Sequence, residues 1–190
     1  MSTLRNYPTV SVDEYIGLEL RSDFRHEYDC GYMYAMSDAS EDHMIITSNL
    51  DTILNTQLED KPCQPFTENM RVALPEQNYY YPDVVVTCGE REYELQREGK
   101  NLLNPIVLVE VLSTHTKNYD KSRKLEVYQQ IPSLMDYLLV RQDRVHITHY
   151  TRHNGDWASS EYEELTDEIV LASVTCKLPL SRVYKKVTWA

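Results

Sequence analysis

The run Pro105-Ile-Val-Leu-Val-Glu-Val-Leu112 is apolar at every position but one. A strand buried on both faces has no solvent side to alternate with, so an unbroken Val/Ile/Leu run predicts the middle of a sheet packed between layers. The exception, Glu110, then lies inside. An ionised carboxylate there costs on the order of several kcal/mol unless a cation or hydrogen-bond donors face it. Whatever packs on this strand must therefore answer Glu110.

The rest of the chain supplies the layers. Ser11 and Glu14 have the spacing of a capping box and predict a short helix to about Leu20. Alternating aromatic and apolar residues from Phe24 to Met36, broken at Asp29-Cys30-Gly31, predict a hairpin whose first strand carries Glu27. Over 41–59, Ile46, Leu50, Ile53, Leu54 and Leu58 share one arc of a helical wheel, as in a helix lying on a sheet, and His43 falls near the centre of that arc. Strands are expected over 66–74 and 81–87 around the turn Pro75–Asn78, a helix over 117–131, and strands over 134–140 and 145–150, followed by short strands and turns. Hairpins combined with one strand–helix–strand crossover predict an α/β fold with a central mixed sheet flanked by helices. No repeat or linker divides the 190 residues, so one domain over 1–190 is expected.

Composition narrows the function classes. The formal charge of -11 excludes a generally basic coat for nucleic acid, but not a metal-dependent nuclease, whose carboxylates add to the negative count. No apolar stretch approaches the roughly 18 residues of a membrane span, and Met1–Pro8 lacks the pattern of a secretion leader, so a cytoplasmic protein is expected. Cys30, Cys63, Cys88 and Cys176 form no CxxC motif and read as small buried thiols. Lys177, Arg182, Lys185 and Lys186 are the densest basic cluster, read as a solvated tail in preference to a DNA contact.

Three charges fall on inward faces. Beside Glu110, Asp83 stands at the head of the apolar segment Tyr81-Pro82-Asp83-Val84-Val85-Val86, where an acid is not expected. On the helix over 117–131, Lys124 sits at the centre of the apolar half with Val127, Tyr128 and Ile131. Two acids at the heads of neighbouring strands can hold Mg²⁺, a hard ion that prefers oxygen ligands and retains waters able to attack a phosphate. Each residue also has a plain structural role open to it. Glu110 and Lys124 could form a buried ion pair, His43 could be a hydrogen-bonded core histidine, and Glu27 could face solvent.

At these positions the sequence resembles the restriction-endonuclease-like PD-(D/E)XK superfamily and, more narrowly, the Uma-type family of bacterial endonucleases. Pro82-Asp83-Val-Val-Val matches that family's PDVVV element, and the strand ending Glu110-Val-Leu-Ser113 matches its EVLS. Asp120-Lys-Ser-Arg-Lys124-Leu-Glu-Val-Tyr128 matches its D-x3-K-L-x2-Y helix, while Glu27 with Gly31, then His43, fit its N-terminal hairpin and first core helix. The superfamily lysine two places after the second acid is replaced by Leu112. Lys124 is the family position for the displaced lysine, with Lys121 in reserve.

The resemblance implies a Mg²⁺-dependent (or Mn²⁺-dependent) hydrolase of DNA phosphodiesters. Asp83, Glu110 and the carbonyl of Val111 would bind the metal, and Lys124 would orient water or stabilise the transition state. Glu27 would hold a second cation or the lysine, and His43 would steady the carboxylates or contact phosphate. Family habit adds a homodimer. The alternative is an inactive nuclease-fold module that binds nucleic acid or protein.

Overall fold

A computed structural model describes residues 9–36, 39–67, 69–94, 99–112 and 123–189. In chain order, α1 (Val12–Glu19) leads to the hairpin β1 (His26–Asp29) and β2 (Tyr32–Ala35), then to α2 (Glu41–Leu58). Strands β3 (Cys63–Thr67), β4 (Arg71–Leu74), β5 (Asn78–Tyr80), β6 (Val84–Cys88), β7 (Asn101–Leu102) and β8 (Val107–Leu112) follow. After α3 (Leu125–Tyr128) come β9 (Asp136–Arg141), β10 (Ile147–His153), β11 (Asp156–Tyr162), β12 (Glu168–Leu171), β13 (Cys176–Pro179) and α4 (Leu180–Val183).

The central sheet has the order β11-β10-β9-β8-β6-β3. Only its β8–β9 pair is parallel, because the chain between these strands crosses over through α3 rather than turning back in a hairpin. All six residues of β8 are buried. The period of two along a strand sorts them: Val107, Val109 and Val111 pack with Ile46, Leu50, Ile53 and Leu54 of α2, while Leu108 and Leu112 pack with Val127, Tyr128 and Ile131. Glu110 shares the face of Leu108 and Leu112, the one covered by α3. Truncating a residue such as Leu50, fully buried here, to Ala should cost about 2–5 kcal/mol.

A second sheet, β2-β1-β5-β4-β7, stands beside the first. The chain leaves it at Tyr80 and enters the central sheet at Val84, so Tyr81-Pro82-Asp83 is the segment that joins the two sheets. The capping box is present: the Ser11 backbone N–H donates to Glu14 Oε2 at 2.7 Å, and the Glu14 N–H donates to Ser11 Oγ at 3.3 Å. In the β1–β2 turn, Cys30 and Gly31 both have positive φ, which glycine adopts without a Cβ penalty.

The structure corrects several expectations. The segment 66–74 is not one strand: β3 and β4 belong to different sheets, and Asn78, expected in a turn, opens β5. The cysteines are not four buried thiols. Cys63 and Cys88 stand opposite each other on paired strands β3 and β6 and form a disulfide, and Cys30 is exposed in its hairpin turn; Cys176 alone is a buried thiol. Spacing along the chain could not reveal that strand pairing. Within the helix expected over 117–131, Lys117, Asp120 and Lys121 lie outside the described residues. Among the described residues, no helix is long and apolar enough to cross a membrane.

Candidate active site

The site forms where the two sheets meet. Val84 pairs with Val109, so one further step along these antiparallel strands brings Asp83 abreast of Glu110. The backbone N–H of Val111 donates to Asp83 Oδ2 at 2.6 Å, and His43 Nε2, from the first turn of α2, lies 3.2 Å from Asp83 Oδ1. Asp83 is thus gripped from the adjacent strand and from the helix above it. Both carboxylates are buried, Asp83 at 8 % and Glu110 at 5 % exposure.

Lys124 immediately precedes α3 and points at the sheet, 4 % exposed. Its Nζ donates to Glu110 Oε1 at 3.0 Å and to Glu27 Oε1 at 2.9 Å, and lies 5.5 Å from the centre of the Tyr80 ring. Two carboxylates and an aromatic face around one amine offset the cost of burying it. Glu27, on β1, also accepts the backbone N–H of Tyr81 at 3.1 Å. The joining segment therefore meets Glu27 at its first residue and Val111 at its last, which ties the hairpin to the central sheet.

The sequence-derived candidates fall into two adjacent clusters, Asp83 with His43 and the Val111 N–H, and Lys124 with Glu27 and Glu110, neighbours through the paired strands β6 and β8. The helical wheel puts Tyr128 on the apolar half with Lys124 but gives it no role in the site. Its hydroxyl donates to Glu110 Oε1 at 2.7 Å, and its ring packs edge-on to Tyr80 and Tyr137. Burial above all, then the neighbouring Glu110 and Glu27 charges, hold its hydroxyl pKa well above the ordinary tyrosine value, so it remains a donor. The signal was legible: Tyr128 lies four residues after Lys124 and so on the same helical face. The Tyr81 amide carried no sequence signal.

Three other features lie outside these clusters. A cleft of about 440 Å³ lined by Asp51, Pro65, Phe66, Thr67, Asn69 and Met70 opens at the end of β3, where Thr67 pairs with Val84 next to Asp83. Among the described residues, a three-residue group with metal-ligand spacing occurs elsewhere, at the partly exposed His146 and the exposed Glu161 and Glu163. Of the basic cluster near the C-terminus, Arg182, Lys185 and Lys186 are exposed, and exposed Lys177 pairs with Glu168 at 2.7 Å.

Comparison with known proteins assigns the chain a family. A family described as "Uma2: Putative restriction endonuclease" matches residues 12–181. The uncharacterized protein slr1290 of Synechocystis sp. is 33% identical over 181 residues, covering 94% of this chain and 93% of its own length. A second uncharacterized Synechocystis protein, sll1609, is 31% identical over 140 residues, 73% of this chain and 78% of its own. A crystal structure of a protein from Anabaena variabilis, titled a putative nuclease belonging to DUF820, superposes with a TM-score of 0.73 at 16% identity over 94% of this chain and 99% of that one, a likeness of fold. With the match running from the start of α1 into α4, the chain belongs to the Uma2 family of restriction-endonuclease-like proteins.

Proposed function

We propose that the protein is a single-domain, Mg²⁺-dependent endonuclease that hydrolyses DNA phosphodiester bonds, with Asp83, Glu110 and Lys124 at its centre. The observation that carries this reading is the buried Lys124 amine held between Glu27 and Glu110, one ladder step from an Asp83 fixed by His43 and Val111. The donor set fits the ion. Asp83 accepts a single hydrogen bond from the Val111 N–H on Oδ2 and faces His43 with Oδ1, which leaves acceptor capacity on both oxygens. Two carboxylates and a backbone carbonyl are the hard ligands that Mg²⁺ or Mn²⁺ prefers.

Asp83, Glu110 and the carbonyl of Val111 would hold the cation. When bound, it would supply a coordinated water of lowered pKa and positive charge against the scissile phosphate. Lys124 would donate a hydrogen bond to that water or to a phosphate oxygen as charge develops. Glu27 would keep the amine oriented, Tyr128 would fix Glu110 through Oε1, and His43 would hold Asp83. Water adds to phosphorus as the bond to the leaving oxygen breaks, and a water proton goes to bulk while the leaving oxygen takes one up. Action in the cytoplasm as a homodimer belongs to the same reading.

The test is nicking of supercoiled plasmid and cutting of linear DNA with Mg²⁺, Mn²⁺ or chelator, alongside calorimetric titration of the cation. Metal-dependent cleavage that disappears in Asp83→Asn supports the reading. One observation favours an inactive binding module: Glu110 Oε1 is already engaged by both the Lys124 amine and the Tyr128 hydroxyl. A wild type that binds DNA, takes up no divalent cation and cuts nothing would be that module.

A further inference from the structure

Lys124 is not carried by the central sheet. Leu112, the strand position two residues after Glu110, points into the core beside Val127 and Tyr128. The amine comes instead from the residue just before α3, so its position depends on what holds the segment from Arg123 to Pro132 against the sheets.

Two arginines grip it, one at each end. Before the turn, Arg123 donates through Nε to Asp29 Oδ2 at 3.2 Å and through Nη2 to Asp29 Oδ1 at 2.9 Å. Asp29 follows Glu27 by two residues on β1, so both point to the same face of the strand. Adjacent residues Arg123 and Lys124 thus engage alternate acids of one strand, and the fork geometry of Arg123 fixes direction as well as distance. After the turn, Arg152 of β10 donates through Nη1 to the carbonyls of Ile131 at 2.9 Å and Pro132 at 3.0 Å, and through Nη2 to the carbonyl of Gln129. Its guanidinium stacks 4.7 Å from the centre of the Trp157 ring, which faces it on the paired strand β11. The carbonyls of Gln129, Ile131 and Pro132, just after α3, are thereby tied to the central sheet.

We propose that Arg123, through Asp29, and Arg152 are positioning residues that hold Lys124 in its working place, a role that in an E-x-K strand the sheet itself performs. The proposal rests on the nuclease reading for its effect on rate, but the placement of Lys124 can be measured without it. Asp29→Asn keeps the shape and removes the charge that Arg123 grips. Arg152→Lys keeps the charge and removes the fork. In each variant, kcat and KM for DNA cleavage, divalent-cation affinity and the rate at which an amine-reactive acylating reagent labels Lys124, read by peptide mass spectrometry, are compared with wild type.

The expected result is a fall in kcat of about 10- to 100-fold, the size that a misplacement of about 1 Å produces. KM and cation affinity should stay near wild type, and Lys124 should be labelled several-fold faster. Asp29→Glu, which restores the carboxylate, should recover most of the rate. Folded Asp29→Asn and Arg152→Lys proteins with wild-type kcat and wild-type labelling would overturn the proposal. Should Asp29→Asn fail to fold, Arg123→Lys tests the same grip by the same readouts. A wild type that cleaves nothing defeats the nuclease reading alone, because faster or unchanged labelling still decides whether the two arginines place the amine.

Discussion

Lys124 and Glu110, 14 positions apart in the chain, meet inside the protein with Nζ 3.0 Å from Oε1. The same amine reaches Glu27, 97 positions away, at 2.9 Å. One cation therefore answers two buried acids from different sheets, and removing it takes their shared positive charge away from both.

Lys124→Met should for that reason destabilise the fold by about 3–5 kcal/mol, the cost of uncompensated buried charge. Cleavage should be lost. A divalent cation should raise the melting temperature of the variant more than that of wild type, since the ion then meets carboxylates without a competing amine. Thermal melts with and without Mg²⁺ check both points, and an equal shift in the two proteins would separate Lys124 from the metal site.

Asp83→Asn preserves the shape that receives the Val111 N–H and removes the negative charge. Cation affinity should fall by at least about tenfold and cleavage with it, while thermal stability changes little or rises as carboxylate repulsion is relieved. Calorimetric titration and melts on the same preparation measure the two effects separately.

Tyr128→Phe deletes the 2.7 Å donor to Glu110 and nothing else of the ring's packing. The expected cost is about 1–3 kcal/mol of stability, because a buried acceptor loses a partner. Chemical denaturation gives that figure, and a parallel fall in cleavage would place the hydroxyl among the groups that orient Glu110.

The Cys63–Cys88 disulfide closes a loop with a sequence separation of 25 residues, for which the chain-entropy model gives about 3.5 kcal/mol of stabilisation. Thiol titration should find Cys30 in the native protein, Cys30 and Cys176 after denaturation without reductant, and all four cysteines once reductant is added. Melting should shift down on reduction. Four reactive thiols in unreduced, denatured protein would rule the bridge out.

Burial pushes the Tyr81 hydroxyl, which donates to the buried Glu19 at 2.9 Å, up from 10.0 to about 12. A group whose proton is held more tightly in the folded state contributes stability that is complete below its unfolded pKa and is lost as pH rises through the folded one. Stability should therefore decline between about pH 10 and pH 12. Tyr81→Phe should show a shallower decline there in denaturant melts across that range.

The run around Glu110, the apolar arc of α2 and the motif blocks at Asp83 and Lys124 were legible because each is local: periodicity of two or 3.6 fixes which way a side chain faces once an element forms. The parallel β8–β9 pair followed from the crossover between them, and the hairpin at β1–β2 from its turn residues. What the sequence could not carry was pairing at a distance. The split of 66–74 between two sheets, the Cys63–Cys88 bridge and the contact of Tyr81 with Glu27 all depend on which strands lie side by side. So do the grips of Asp29 on Arg123 and of Arg152 on the carbonyls after α3. That Glu110 is buried and that Lys124 faces the sheet can be read from residue order alone. That the two meet, and with which neighbours, comes from the packing of strands far apart in the chain, because a buried charge demands a partner without specifying from which strand the partner comes.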